Sequence, residues 1–200
     1  MVATIDKEEV AGLETESFPG TIHLIDTPEA ASDAVKKLSA YRILGFDTET
    51  RPSFERGARP SVALMQIATE TDCFLFRLNI INIPDELQQL LENPDTLKVG
   101  LSLHDDVTVI RRRRPLEPAG FVELQRLCPA YGIRDSSLQK VYAIIFGKRI
   151  SKSQRLTNWE ARKLTDAQQG YAALDAWACL RIFNHLMTLP TPTPTQFALL

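Results

Sequence analysis

The stretch Ile43-Leu44-Gly45-Phe46-Asp47-Thr48-Glu49-Thr50 determines how the rest of this chain is interpreted. Its apolar beginning is typical of a strand in the middle of a sheet that is covered on both faces. Asp47 and Glu49 stand two positions apart, so a strand would turn both carboxylates to one face. Packing does nothing to offset the repulsion between these like charges, whereas a bound divalent cation would. The stretch therefore predicts a central strand that carries part of a metal site.

Strand and helix patterns alternate along the rest of the chain. Strands are predicted at residues 21–25, 42–49, 62–69, 73–77 and 97–101. Helices are predicted at residues 28–40, 84–92, 103–112, 137–146 and 165–187. Thr27 as an N-cap followed by Pro28 supports the first helix, and Gly147 ends the fourth. This order predicts an α/β domain with a central mixed sheet of five strands, flanked by helices.

The length of 200 residues, with 44% hydrophobic and 24% charged residues, is typical of one globular domain. Residues 1–20 are polar and acidic, and they are predicted to form a flexible N-terminal segment. The folded domain is expected at residues 21–189. The Pro/Thr-rich residues 190–200 cannot extend the last helix and are predicted to form a tail.

Three cysteines, Cys73, Cys128 and Cys179, are scattered without CxxC spacing. Their number and spacing argue against a zinc site and against a disulfide framework. Free thiols are typical of a reducing compartment, and the N-terminal residues lack the basic and apolar regions of a signal peptide. No apolar run is long enough to span a bilayer. We therefore expect a cytoplasmic protein that does not contact a membrane, of unknown oligomeric state.

The net charge of −2 conceals an uneven distribution of charge. Residues 1–100 hold 9 Lys or Arg and 17 Asp or Glu, whereas residues 101–200 hold 14 and 8. Basic residues concentrate at residues 111–114 and 148–163. The distribution permits a surface that faces nucleic acid, although a charge run is also typical of a solvated face. The four arginines at 111–114 are equally well explained as a helix end that complements its dipole.

A second acidic stretch, Leu101-Ser102-Leu103-His104-Asp105-Asp106-Val107, follows the strand predicted at residues 97–101. Sites in α/β folds cluster at the carboxyl ends of strands. On a helix, Asp106 shares a face with apolar residues that should point at the core, and this carries its carboxylate toward the sheet. Asp106 is therefore the predicted site residue, with Asp105 as the alternative. Two acids in the first turn of a helix are also explained by the helix dipole alone.

The third candidate is Tyr171-Ala172-Ala173-Leu174-Asp175 in the last helix. Tyr171 and Asp175 lie one turn apart on one face. Alanines and leucines surround Asp175, so its charge should be partly buried and should need a partner such as a metal ion. Tyr171 is a candidate donor to a water or a phosphate oxygen, and core packing is the other explanation for it.

In chain order the candidates are Asp47, Glu49, Asp106, Tyr171 and Asp175. This set resembles the three motifs of the DEDD superfamily of 3′–5′ exonucleases, in the tyrosine branch that includes ribonuclease D and the Werner-syndrome exonuclease domain. Residues 61–68, 98–100, 156–159 and 164–168 also resemble those proteins. The resemblance covers roughly residues 22–187 and implies a ribonuclease H-like fold.

The resemblance also implies an activity and a cofactor. The activity is release of nucleoside 5′-monophosphates from the 3′ end of DNA or RNA with two divalent cations, Mg²⁺ or Mn²⁺. Asp47 would ligate both ions, and Glu49 and Asp175 would ligate the ion that carries the attacking water. Asp106 would act on the second ion, and Tyr171 would orient the water.

The predicted contacts to nucleic acid are Thr48, Phe54, Lys148, Arg149, Lys152, Arg155 and Asn158. For Phe54, packing on the terminal nucleotide and anchoring of a loop are both open. The alternative function is a catalytically inactive nucleic-acid-binding module on the same fold, and a metal-binding structural domain is a third. The sequence does not distinguish DNA from RNA.

Overall fold

The computed structural model describes residues 4–52 and 61–192. Its strands are β1 Thr21–Ile25, β2 Ile43–Thr50, β3 Val62–Ala68, β4 Asp72–Phe76, β5 Leu97–Gly100 and β6 Phe121–Glu123. They form one sheet of six strands in the order β1-β4-β3-β2-β5-β6. β3 is antiparallel to both β2 and β4, and the other neighbouring strands are parallel. The predicted α/β class with a mixed central sheet is confirmed.

Helices cover this sheet and connect its strands. They are α1 Lys7–Ala11, α2 Pro28–Leu38, α3 Leu78–Ile81, α4 Asp85–Glu92, α5 Leu103–Arg113, α6 Leu124–Leu127, α7 Leu138–Phe146 and α8 Asp166–Met187, with a 3-10 helix at Cys128–Tyr131. Thr27 caps α2, and Thr165 forms a capping box with Gln168 at the start of α8. Within the described part of the chain, no helix is both long enough and apolar enough to cross a membrane.

The predicted count of five strands is wrong by one, because β6 was not predicted. This strand has three residues, all half-buried, and it is too short to show a period of two. Gly120 immediately precedes it with a φ of +68°. A Cβ at that glycine would lie 2.6 Å from the Thr96 carbonyl oxygen, so the approach of this turn to β5 requires glycine.

The N-terminal segment also differs from its prediction as a flexible chain. Its described part contains α1, which begins with a capping box between Asp6 and Glu9. The Ile5 amide donates to the Asp135 carboxylate at 2.9 Å, and Thr15 forms a β-bridge with Arg149. These partners lie more than 100 positions away, so no local pattern could have indicated them. The predicted C-terminal tail lies outside the described residues from residue 193 onward.

Helix α8 packs directly on the middle of the sheet. The side chains of Ala172, Ala173 and Ala176 on α8 are fully buried between the helix and the sheet, against β3 and β4. On β2, a Cβ at Gly45 would lie 2.1 Å from the Ala176 carbonyl oxygen. Small residues on both sides therefore bring the two backbones into contact. Because side chains alternate along a strand, Asp47 lies on the same face of β2 as Gly45, beneath α8.

Candidate active site

Three carboxylates meet where α8 crosses β2. Asp47 and Glu49 come from β2, Asp175 comes from α8, and each offers an oxygen within 4.8 Å of the others. The alternation of the strand places the first two side by side. The close approach of α8 at Gly45 brings the third above them. Residues that are more than 120 positions apart thus form one acidic cluster.

The electrostatics of this cluster oppose full ionisation. Burial raises the pKa of Asp47 well above its usual range, and the charges of Asp106, Asp175 and Glu49 raise it further. Burial, again with the charges of Asp175 and Asp106, raises the pKa of Glu49 to about 9. Without a cation, ionising all of these carboxylates together is unfavourable.

Asp106 lies on α5, beside the cluster rather than within it. Its side chain is half-buried, whereas Asp105 is exposed. The Thr48 hydroxyl, which lies between the two acids of β2 in sequence, donates a hydrogen bond to Asp106. Burial raises the pKa of Asp106 to about 6, although this hydrogen bond opposes the shift. The structure therefore places Asp106 nearer the cluster than Asp105. It also shows that the Thr48 hydroxyl, predicted to contact nucleic acid, is hydrogen-bonded to Asp106.

The first turn of α5 is held by a residue that the sequence analysis missed. Ser102 has left-handed backbone angles, with φ 67° and ψ 31°. The Glu123 carboxylate, at the end of β6, accepts hydrogen bonds from the amides of Ser102 at 3.0 Å and Leu103 at 2.7 Å. Glu123 thus stabilises the turn that aims Asp106. The available signal was an acid at the end of a strand, but that strand was itself not predicted.

Tyr171 lies beside the cluster, one helical turn before Asp175. Its ring centre is 6.0 Å from that of buried Trp159. Burial, with the charges of Asp175 and Glu49, raises the pKa of Tyr171 far above its usual range. Burial raises the pKa of Asp175 to about 7, opposed by a hydrogen bond from Tyr171 and by the charge of Lys152. The raised pKa favours the protonated phenol, which can donate a hydrogen bond.

A cavity of about 450 Å³ opens beside the acidic cluster, and its lining includes Tyr171 and Asp175. Lys152 and Arg155 line the same cavity, and both residues are exposed. The positive charge of Arg155 acts to lower the pKa of Glu49, and that of Lys152 acts to lower the pKa of Asp175. Two predicted nucleic-acid contacts thus lie near the acids without forming ion pairs with them.

The other predicted nucleic-acid contacts have different surroundings. Lys148 forms an ion pair with Glu16 at 3.2 Å, and the Arg149 Nε atom donates to the Leu13 carbonyl oxygen at 3.0 Å. Asn158 is exposed, and its side-chain oxygen accepts from the Glu160 amide at 3.1 Å. Phe54 lies outside the described residues.

The arginine run at 111–114 mostly stabilises the fold. Arg111 binds the Leu116 carbonyl and Glu117, Arg113 binds the Leu78 carbonyl and Ser61, and Arg114 binds the Ile83 carbonyl and Asp85. These three side chains thus bond to neighbouring segments, which differs from both explanations that the sequence left open, a phosphate contact and a solvated helix end.

The donor set of the acidic cluster fits hard divalent cations. Its ligand atoms are all carboxylate oxygens, which Mg²⁺ and Mn²⁺ prefer. Zn²⁺ sites, in contrast, usually include nitrogen or sulfur ligands. Across residues 4–52 and 61–192, no Lys or Arg forms an ion pair with Asp47, Glu49 or Asp175. The negative charge of the cluster is therefore not neutralised by the described protein groups, and a cation would neutralise it.

Comparison with known proteins gives consistent results. A family model described as 3'-5' exonuclease matches residues 22–189. The bifunctional 3'-5' exonuclease/ATP-dependent helicase WRN of Mus musculus is 32% identical over 182 residues, which are 86% of this chain and 13% of that protein. Escherichia coli RNase D has a similar structure, with a TM-score of 0.76 at 25% identity over 84% of this chain and 44% of that one.

The EXO domain of Aedes aegypti Nibbler gives a TM-score of 0.75 at 21% identity and covers 99% of both chains. These structural likenesses confirm the predicted ribonuclease H-like fold class. The chain spans only part of its longer relatives, for example 25% of the Drosophila melanogaster exonuclease 3'-5' domain-containing protein 2.

Proposed function

Since this chain belongs to the family of 3′–5′ exonucleases, as its motifs predicted, we propose that it hydrolyses DNA or RNA from the 3′ end and releases nucleoside 5′-monophosphates. The observation that carries this proposal is the convergence of Asp47, Glu49 and Asp175 within 4.8 Å. A protein that only bound nucleic acid would gain nothing from buried negative charge facing phosphates. For a hydrolase, the same charge has a use.

That use is to hold two divalent cations, Mg²⁺ or Mn²⁺. Asp47, Glu49 and Asp175 would provide the ligands, with Asp106 acting from the side of α5. When bound, such cations lower the pKa of a water molecule and stabilise the charge that develops on the phosphate and on the leaving 3′ oxygen. Thr48 holds the Asp106 carboxylate through its hydroxyl, and Glu123 holds the turn before it. These two residues keep the fourth acid in place.

The chain's other groups orient the reactants. Tyr171 retains its proton because its pKa is raised, so it acts by donating a hydrogen bond and not as a general base. We propose that it orients the attacking water next to Asp175. Lys152 and Arg155, at the edge of the same cavity, bind phosphates of the strand that enters it. Asn158 remains a proposed contact to nucleic acid, and Phe54 a proposed contact to the terminal nucleotide.

The test uses a 5′-labelled single-stranded DNA and a matched RNA, each incubated with Mg²⁺, Mn²⁺ or chelator. We expect a ladder that shortens from the 3′ end with either metal and no ladder in chelator. A 3′-phosphorylated substrate distinguishes exonuclease from endonuclease action, because blocking the end should suppress the ladder. Asp47→Ala should abolish cleavage, whereas Asp33→Ala, on the outer face of α2 at 74% side-chain exposure, should not.

The outcomes separate the candidate functions. Binding of both substrates without cleavage under any metal, by a protein with an intact fold, would favour the inactive binding module. Comparing the rates on the matched DNA and RNA then identifies the preferred nucleic acid.

A further inference from the structure

Residues 13–18, which we call the N-terminal arm, run beside residues 148–155, which we call the basic loop. The Arg149 amide donates to the Glu14 carbonyl oxygen, and the Glu16 amide donates to the Arg149 carbonyl oxygen, both at 2.9 Å. The two segments therefore pair as a short parallel bridge around Thr15 and Arg149. The Arg149 side chain adds a third bond, to the Leu13 carbonyl oxygen.

Glu16 strengthens this pairing through a half-buried ionic network. Its carboxylate accepts from Lys148 Nζ at 3.2 Å, from the Tyr142 hydroxyl at 2.9 Å and from Arg181 at 2.9 Å. Only 10% of the Glu16 side chain is exposed. Charged hydrogen bonds of this kind are stronger than neutral ones, and solvent screens them less at a half-buried site. Glu16 therefore joins the start of the basic loop to both α7 and α8.

The far end of the basic loop lies at the candidate active site. Lys152 and Arg155 line the cavity that contains Tyr171 and Asp175. On the other side of the loop, the arm lines a second cavity of about 190 Å³, with Ser151, Ser153 and the same Tyr171. The loop is thus held between the arm and the substrate cavity.

We infer that Glu16 is a positioning residue, which fixes the basic loop so that Lys152 and Arg155 meet the phosphates of the substrate strand. This inference rests on the proposed function. The basic loop contains no helix and only the single bridge residue Arg149, and both basic side chains are exposed. Ordering such side chains on binding costs about 0.5–1.5 kcal/mol each, and a loop that is already held in place reduces that cost. Among the described residues, no hydrogen bond or ion pair joins the arm to Asp47, Glu49 or Asp175, so its effect is on binding.

The test compares Glu16→Gln with Glu14→Gln. Glu14 lies two residues earlier, is exposed, and contributes its backbone carbonyl to the bridge. Both changes remove one negative charge from the arm, so any general electrostatic effect on nucleic-acid affinity is shared. Affinity for a fluorescent single-stranded oligonucleotide is measured in chelator at several salt concentrations, and steady-state kinetics are measured with metal.

We expect Glu16→Gln to weaken binding and to raise KM about fivefold, with kcat within about twofold of the parent. Glu14→Gln should leave affinity unchanged or make it slightly tighter. Each phosphate contact to a single strand contributes about 0.7 to the slope of log K against log salt. The slope for Glu16→Gln should therefore fall by up to about 1.4, because two contacts are disturbed. A role in stability alone would leave the salt slope unchanged.

A double-mutant cycle identifies the route of the effect. In a Lys152→Ala/Arg155→Ala background, Glu16→Gln should have almost no further effect on affinity, because the groups that it positions are absent. An equal loss in both backgrounds, or an unchanged salt slope, would overturn the inference. Should Glu16→Gln fail to fold, Tyr142→Phe removes a single hydroxyl from the network and should weaken binding about twofold.

The inference and the proposed function fail separately. A parent protein that binds and degrades the oligonucleotide, together with a Glu16→Gln variant that behaves like Glu14→Gln, sinks only the inference. A parent protein that binds without degrading it sinks the exonuclease, while the chelator measurements still decide the role of Glu16. A parent protein that does not bind at all overturns both.

Discussion

Glu16 and Glu49 are the same residue type, yet their pKa values shift in opposite directions. Burial alone would raise the pKa of Glu16, but hydrogen bonds from Tyr142 and Lys148 lower it below its usual value. Burial and neighbouring acids raise the pKa of Glu49 to about 9. The difference lies first in depth, because Glu49 is the more deeply buried of the two, and then in the partners that the chain supplies. Glu16 has cations and a hydroxyl from α7 and α8, whereas the nearest charged groups to Glu49 are other acids.

A buried charge that is paired within the chain is complete, and it stabilises the fold. A buried charge that faces only like charges makes the protein less stable unless something outside the chain binds it. The Glu16 network and the acidic cluster are therefore a structural and a functional use of the same residue type. Four measurements would break or sharpen this distinction.

The largest expected effect concerns the acid on α5. Asp106→Asn should reduce kcat at least 100-fold, because its carboxylate borders the cluster, while Asp105→Asn should stay within about twofold of the parent. Initial rates on a labelled oligonucleotide with Mg²⁺ give the comparison. The reverse ranking would show that the exposed acid of the pair is the functional one.

The next largest effect concerns Tyr171, the proposed hydrogen-bond donor to the attacking water. Tyr171→Phe should lower kcat by about 10- to 100-fold, since a hydrogen bond that orients the attacking water is lost while the metal ligands remain. The shape of the pH–rate profile between pH 6 and 9 should not change, because Tyr171 does not titrate there. Loss of a basic limb from the profile would instead identify Tyr171 as a general base.

Replacing each of the two glutamates by glutamine should change the Tm in opposite directions. In chelator at pH 8, Glu49→Gln should raise the Tm by about 3 °C, and Glu16→Gln should lower it by about 4 °C. The raised pKa of Glu49 means that its favourable contribution, complete below about pH 4, is lost as pH rises through about 9. The gain from Glu49→Gln should therefore disappear near pH 5. Glu16 has a lowered pKa, so its contribution is kept across this range and is lost only as pH falls below the usual range of a carboxyl group.

Melting curves across that pH range check both signs. A constant difference between Glu49→Gln and the parent from pH 5 to pH 9 would show that the mutation acts through packing and not through charge. Glu14→Gln, at an exposed position of the same arm, serves as the control for Glu16→Gln and should change the Tm by less than about 1 °C.

The smallest expected effect is that of the cation on stability. Millimolar Mg²⁺ should raise the Tm of the parent by about 2 °C at pH 8, and by less at pH 6, because protons compete for the ligands. Asp47→Asn should lose this response and should be more stable than the parent in chelator. A Tm that rises equally with Mg²⁺ in the parent and in Asp47→Asn would indicate a nonspecific salt effect.

Much of the fold follows from local patterns along the chain. The apolar run before Asp47 indicated a covered central strand, and Thr165 indicated the start of α8, because a strand period and a capping residue are local properties. The β6 strand was missed, since three half-buried residues after Gly120 show no period. The ordered N-terminal arm was missed because its stability comes from Arg149 and other distant partners.

The same division applies to the site. Asp47 and Glu49 could be identified because two acids on one strand face are locally unfavourable. Glu123 could not, because its role depends on the left-handed turn at Ser102, which is visible only in the folded chain. Lys148 looked like a phosphate contact until the fold supplied Glu16 as its partner. Charges along a sequence show what a surface can attract, and only the fold shows which of them are already paired.

Gly45 carries no chemistry, yet it sets the separation of the clustered acids. Because the backbones of β2 and α8 touch there, the distance from Asp47 to Asp175 depends on main-chain contact, and no rotamer change can compensate for its loss. A single methyl group at residue 45 would push α8 away from the sheet and separate the carboxylates without altering either. A survey of variants limited to ionisable residues would therefore overlook a position at which the smallest possible mutation separates the carboxylates.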